Sequence, residues 1–171
     1  MIKQLSINGR MLIAASIILA AFLGITGITL DRSYTSSAEE ALKERLRVNS
    51  AVLIASADID ERSGKLNLVH ALPEVRFFSA NSGLYAKILS NSGQVLWASP
   101  SLGEMSLPVT GGLRRGENVY EQLMSSTDTP VMSYRLGVTW GDNIPLNEGY
   151  TFVVAESMVR YRQQLGGFRQ N

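Results

Sequence analysis

The chain is 171 residues long and 45% hydrophobic, carries 16 Lys and Arg against 15 Asp and Glu, and contains no cysteine. The missing thiols exclude disulfides, thiolate metal sites and a cysteine nucleophile, and the near-neutral balance gives no electrostatic footprint for nucleic acid. The apolar content suffices for one buried core in a domain of ordinary size.

Met11 to Leu30, MLIAASIILAAFLGITGITL, has no charged side chain. At about 1.5 Å of rise per residue, a helix of that length spans about 30 Å, the thickness of a bilayer's hydrocarbon core, with its backbone groups satisfied internally. A cleaved secretory signal has a shorter apolar run and a small-x-small cleavage site, whereas this run ends ITLDRSYTSS, with Leu30 before Asp31. A soluble domain of this size rarely needs a helix that is apolar on every face. The segment reads as a retained membrane helix, residues 11–30, behind a tail, residues 1–10, that carries Lys3 and Arg10 and no acid. Such a tail is expected on the cytoplasmic side.

Ser36 to Glu61, SSAEEALKERLRVNSAVLIASADIDE, lacks Gly and Pro and is rich in Ala, Leu, Glu, Lys and Arg, which are good helix formers. Ala38, Leu42, Leu46, Asn49, Leu53 and Ser56 recur every three or four residues and predict one packed face, with Glu40, Lys43, Glu44 and Arg47 elsewhere. No breaker separates Leu30 from this helix, so the membrane helix is expected to run on into it and to end at Ser63-Gly64.

From Lys65 onward the period changes to that of strands. LNLV (66–69) predicts a weak first strand. LYAKILS (84–90) and VLWAS (95–99) flank Asn91–Gln94, where Asn and Gly suit a tight reversal. A long loop follows, and VYEQLMS (119–125) and VMSYRLGVTW (131–140) enclose a second hairpin turn. YTFVVAE (150–156) completes an antiparallel set of about five strands. Met132, Tyr134, Leu136, Val138 and Trp140 alternate with Ser133, Arg135, Gly137 and Thr139, which predicts one buried and one wetter face. The fold class expected is α+β, with the long helix packed on the buried face of the sheet. Ser157 then begins an amphipathic segment, with Met158, Tyr161, Leu165 and Phe168 on one side. This exit helix, residues 158–171, is expected to lead to a second membrane crossing that the chain does not contain.

Catalytic chemistry finds little to stand on. His70 is the only histidine, without a second ligand at metal spacing. Gly111-Gly112 with Arg114-Arg115 lacks the strand-loop-helix context of a phosphate cradle. The serines of SPSLG (99–103) fit no nucleophile elbow, and Asp58, Asp60 and Glu61 form an acidic cluster of the ordinary solvated kind. No catalytic, metal or cofactor residue is assigned. Tyr85, Trp97 and Tyr134 are candidates to line a ligand pocket, although strand aromatics are first of all core. Period-2 alternation sets Glu156 on the face of Tyr150, Phe152 and Val154. There it needs a partner, for which backbone amides at the start of the exit helix are suited. Glu156 and Ser157 are therefore the candidate coupling residues between sheet and exit helix.

NGRMLIAASIILAAFLGITGITLDRSY, SAEEALKERL, LPEVRF, SGLYAKILSNSGQVLWASPS and YTFVVAES together resemble the N-terminal sensor region of bacterial membrane-bound two-component histidine kinases, in particular a PhoQ-like branch. The resemblance implies a PAS-like sheet, a homodimer in the inner membrane, and a periplasmic domain over residues 31–157. It also implies a cognate response regulator reached only through cytoplasmic kinase domains absent from this chain. In such kinases the phosphoacceptor histidine belongs to another domain, so His70 does not inherit that role. The dense acidic surface of the cation-sensing members has no counterpart here. The alternative is a complete single-pass anchored binding or assembly protein without enzymatic activity.

Overall fold

The computed structural model describes residues 7–59, 66–68, 72–139 and 149–159. The chain divides into two compact units, Met1–Glu40 and Ala41–Asn171.

The described part of the first unit belongs to one helix, α1, Ile7–Ala55, which continues past residue 40 without a break. Among the described residues, Ile7–Gly27 is the one segment long and apolar enough to cross a membrane. The hydroxyls of Thr26 and Thr29 each donate at 2.8 Å to the carbonyl four residues back, those of Phe22 and Ile25. Neither hydroxyl thus depends on water, as hydrocarbon surroundings would require.

In the second unit, α1 ends at Ala55, eight residues before the expected stop at Ser63-Gly64. At its end the Ser56 backbone N–H and hydroxyl both donate to the Val52 carbonyl, at 3.1 and 2.9 Å. The next residues, expected to be helical, form a short strand instead. β1 (Ala57–Ile59) pairs antiparallel with β2 (Leu66–Leu68) in a two-stranded ribbon, so the LNLV segment stands apart from the main sheet.

The main sheet contains β3 (Leu84–Ser90), β4 (Val95–Ala98), β5 (Asn118–Met124), β6 (Pro130–Val138) and β7 (Tyr150–Ser157), all antiparallel, in the order β4-β3-β7-β6-β5. Counted along the chain, these strands lie 2-1-5-4-3, an open PAS-like arrangement. Both hairpins form where the turn residues predict them. Gly93 takes φ 85° in the first, and Asp128 φ 54° in the second. In the second turn the Ser125 hydroxyl accepts from the Thr127 and Thr129 amides at 3.3 and 3.1 Å.

One sheet face carries Leu84, Ala86, Ile88, Met132, Tyr134, Phe152 and Val154, buried together with Leu42, Leu46 and Leu53 of α1 and with Phe77. The helix covers this face, as its apolar stripe predicts. The opposite face is not the wetter one expected. Tyr85, Val131 and Ala155 are buried there under Leu102 and Leu107 of the long β4–β5 connection. Two polar residues of β6 on it are bonded to their neighbours, although Arg135 Nε is buried without a partner. Ser133 donates to the Glu121 carbonyl at 3.1 Å, and Arg135 reaches the Glu121 carboxylate at 2.9 Å and the Thr110 carbonyl at 3.2 Å. Gly137 has no room for a side chain, because a Cβ would overlap the Arg114 carbonyl oxygen. The loop 99–117 thus replaces the solvent that strand alternation alone would place there.

Candidate functional site

β7 lies at the centre of the sheet, paired with β3 on one side and β6 on the other. Thr151–Ala155 are all buried. Alternation along β7 carries Glu156 to the helix-covered face, opposite Leu84 and Met132. Its side chain is only 13% exposed. A carboxylate at the edge of a core needs compensation, and two guanidinium groups supply it. Arg76 Nη2 donates to Oε1 at 3.3 Å, and Arg45 Nε lies 3.5 Å from Oε2. The second contact is an ion pair without hydrogen-bond geometry, and Oε2 is buried without a hydrogen bond. The expected backbone amides are not its partners.

Each arginine arrives on a separate element. Arg45 stands on α1 one residue before the buried Leu46. Arg76 sits in a 3-10 turn, Val75–Phe77, which Glu74 begins by accepting the Arg76 amide at 3.1 Å and which the fully buried Phe77 anchors. The Ser82 hydroxyl fixes the same turn by donating to the Arg76 carbonyl at 2.6 Å. The outer helix, the turn before β3 and the end of the last strand therefore meet at one carboxylate. Sequence separation hides this: Arg76 and Glu156 are 80 positions apart.

Ser157 is the last residue of β7. Its amide donates to the Gly83 carbonyl at 2.7 Å, and its hydroxyl accepts from the Val159 amide at 3.3 Å, the geometry of a residue that begins a helix. Met158 is buried and Val159 is helical; residues 160–171 of the expected exit helix lie outside the described residues.

The three aromatic candidates are not brought together. Tyr85 lies under the β4–β5 loop, whereas Tyr134 and Trp97 are on the helix-covered face. Those two are separated by β3 and β7, about 14 Å at ordinary strand spacing. Tyr134 packs instead on Tyr120, with ring centroids 4.6 Å apart, and the Tyr120 hydroxyl donates to the Lys43 carbonyl at 3.4 Å. Burial pushes the hydroxyls of Tyr85, Tyr120 and Tyr134 above the usual tyrosine pKa.

The serines of the SPS stretch extend the sheet edge. Ser99 Oγ accepts from the Ala86 amide at 2.9 Å, and Ser101 Oγ donates to the Leu84 carbonyl at 2.7 Å, which satisfies β3 beyond the end of β4. Gly112 takes φ 85°, and the Arg114 amide is bonded to Glu117 at 2.9 Å, so this stretch is fastened rather than an open cradle. Among the described residues no group of three or more His, Cys, Asp or Glu could hold a metal ion; His70, Asp60 and Glu61 lie outside them. Comparison with protein-family models, curated proteins and solved structures gave no match. The combination of one N-terminal apolar helix and a small PAS-like antiparallel sheet is that of a generic membrane-attached, sensor-like module.

Proposed function

We propose that this chain is the extracytoplasmic signal-input region of a bacterial membrane-bound sensor histidine kinase of the PhoQ-like branch. In this reading residues 1–10 are cytoplasmic, residues 11–30 cross the inner membrane, residues 31–157 form the periplasmic sensor, and residues 158–171 lead toward a second crossing. The chain acts as a homodimer, and communicates with a response regulator through a kinase core outside this sequence. It has no enzymatic activity of its own.

The observation that carries the reading is the clamp on Glu156. A sensor of this kind has to convert a change in its domain into a shift of the helices that join it to the membrane, and such shifts are small, about 1–2 Å. Glu156 lies next to last in the central strand, just before the exit segment, and is held by an arginine of the entering helix. A displacement of that size would make or break the Arg45 contact. Glu156 is thus the coupling residue, and Ser157 fixes the direction in which the chain leaves.

The test is to join the chain to a kinase core and measure phosphorylation of the response regulator. Glu156→Ala should shift basal output, and Glu156→Gln, which keeps the shape and removes the charge, should shift it the same way at equal protein level. Unchanged basal and stimulated output in both variants would rule out a coupling role. A stop codon directly after Asn171 would favour the anchored binding protein instead.

A further inference from the structure

The two edges of the main sheet are protected to different degrees. A strand edge is a row of unpaired N–H and C=O groups that invites a further strand, and native proteins blunt it with short strands, bulges, prolines or lysines. β4 is blunted in three ways: it is four residues long, its register with β3 shifts between Ile88 and Leu89, and Pro100 follows it closely. β5 has none of these devices. It runs for seven residues, pairs with β6 in unbroken register from Asn118 to Met124, and contains neither Pro nor Lys. The ladder shows which backbone groups it leaves over. The Gly137 amide donates to the Glu117 carbonyl at 2.9 Å and the Ser125 amide to the Thr129 carbonyl at 3.0 Å, so Glu117, Val119, Glu121, Leu123 and Ser125 turn their backbone toward β6. Alternation turns that of Asn118, Tyr120, Gln122 and Met124 outward, at intervals of about 6.8 Å. Among the described residues these outward amides and carbonyls have no hydrogen-bond partner.

We infer that β5 is a docking edge for an extended segment of another protein, which adds to the sheet as a further antiparallel strand. Only an extended backbone presents donors and acceptors at the repeat of that row, and backbone bonds of this kind supply the affinity in strand addition. The β5 of a second copy does not fit. The antiparallel register that engages the whole row puts its two-fold axis at Glu121 and sets that carboxylate against its own copy, and like charges directly opposite each other are destabilising. A basic residue suits the same position. Glu121 gives Oε2 to Arg135 at 2.9 Å, yet its side chain is still 46% exposed. Val119 and Leu123, both half-buried, flank it on the same face and suit apolar residues across the strand. The partner segment is therefore apolar-x-basic-x-apolar in extended form. The edge belongs to the sheet alone, so this role is independent of the kinase reading.

The probe is a fluorescein-labelled nonapeptide, TTVTKTVTT, titrated by polarisation against the full-length chain in nanodiscs. With its lysine opposite Glu121, its second, fourth, sixth and eighth residues turn their backbone toward β5. Binding should saturate. N-methylation of the fourth and sixth residues removes donors aimed at β5 and should weaken binding by about tenfold or more. N-methylation of the third and seventh, whose N–H groups face away, should change it by less than about twofold. Glutamate in place of the lysine should weaken it by about fivefold. Gln122→Pro removes one outward donor and keeps the β5–β6 ladder, because proline is tolerated on an edge strand where its N–H would face solvent; peptide binding should fall by about tenfold at an unchanged melting temperature. The peptide comparison leaves the protein untouched, so it decides the matter even where Gln122→Pro lowers that temperature. Equal affinity of the two N-methylated peptides, or the absence of saturable binding, would overturn the docking edge. Absence of peptide binding together with a smaller assembly in the Gln122→Pro chain would assign the edge to a second copy instead.

Discussion

Ser50 is the one hydroxyl of α1's buried stripe that finds no hydrogen-bond partner, at 0% exposure. An unpaired buried polar group costs about 1–3 kcal/mol, and alanine is also the better helix former. Ser50→Ala should therefore stabilise the second unit by roughly 1 kcal/mol, seen as a higher urea midpoint of tryptophan fluorescence; a lower midpoint would mean the hydroxyl is bonded in solution. The tyrosines act in the opposite direction at high pH. Tyr85, Tyr120 and Tyr134 are held neutral by burial, whereas in the unfolded chain they ionise near pH 10. Above that pH the unfolded state binds fewer protons than the folded one, so stability falls as pH rises through about 10 and beyond, with no such loss below it. Tyr85→Phe should reduce this alkaline loss in melting experiments from pH 8 to 11. Glu156 illustrates what is legible at this scale. Its face and its need for a partner follow from strand alternation, but the identity of Arg45 and Arg76 does not, because ion pairing between distant residues leaves no periodic signal.

Among the elements, the hairpins and the sheet-facing stripe of α1 formed where local rules put them, whereas α1 ends early, LNLV pairs outside the main sheet, and the β4–β5 loop buries the second sheet face. α1 stops at Ala55 and the chain passes straight into β1, an event that helix propensity summed over the segment does not register. Ser99 and Ser101 stand in for strand residues at the edge of β3. Ser99→Ala would leave the Ala86 amide without its hydroxyl partner in a buried place, at a cost of about 1–3 kcal/mol. The expected result is a lower melting temperature and faster exchange of the Ala86 amide; a variant with unchanged exchange would show that water replaces the hydroxyl.

For the whole molecule, topology across the bilayer is the property most open to direct test. The proposed arrangement places Asn118, exposed at the start of β5, in the periplasm. Asn118→Cys should react with a membrane-impermeant thiol reagent in intact spheroplasts, and labelling only after lysis would reverse the orientation.

An uncharged stretch as long as a bilayer is thick, a change of period from helical to alternating near residue 65, and turn residues between alternating runs were enough to determine an α+β chain with an apolar N-terminal helix and about five antiparallel strands. These are local signals, each set by the residues within one element. Tertiary structure alone decided that the last strand lies in the middle, between the two hairpins. It also decided that the β4–β5 loop buries the second sheet face and that Arg45 and Arg76 converge on Glu156. The physical reason is common to all of these. Burial and charge pairing depend on what covers a residue, and its cover comes from segments tens of positions away, brought there by the free energy of closing the whole core rather than by any preference of the residues concerned.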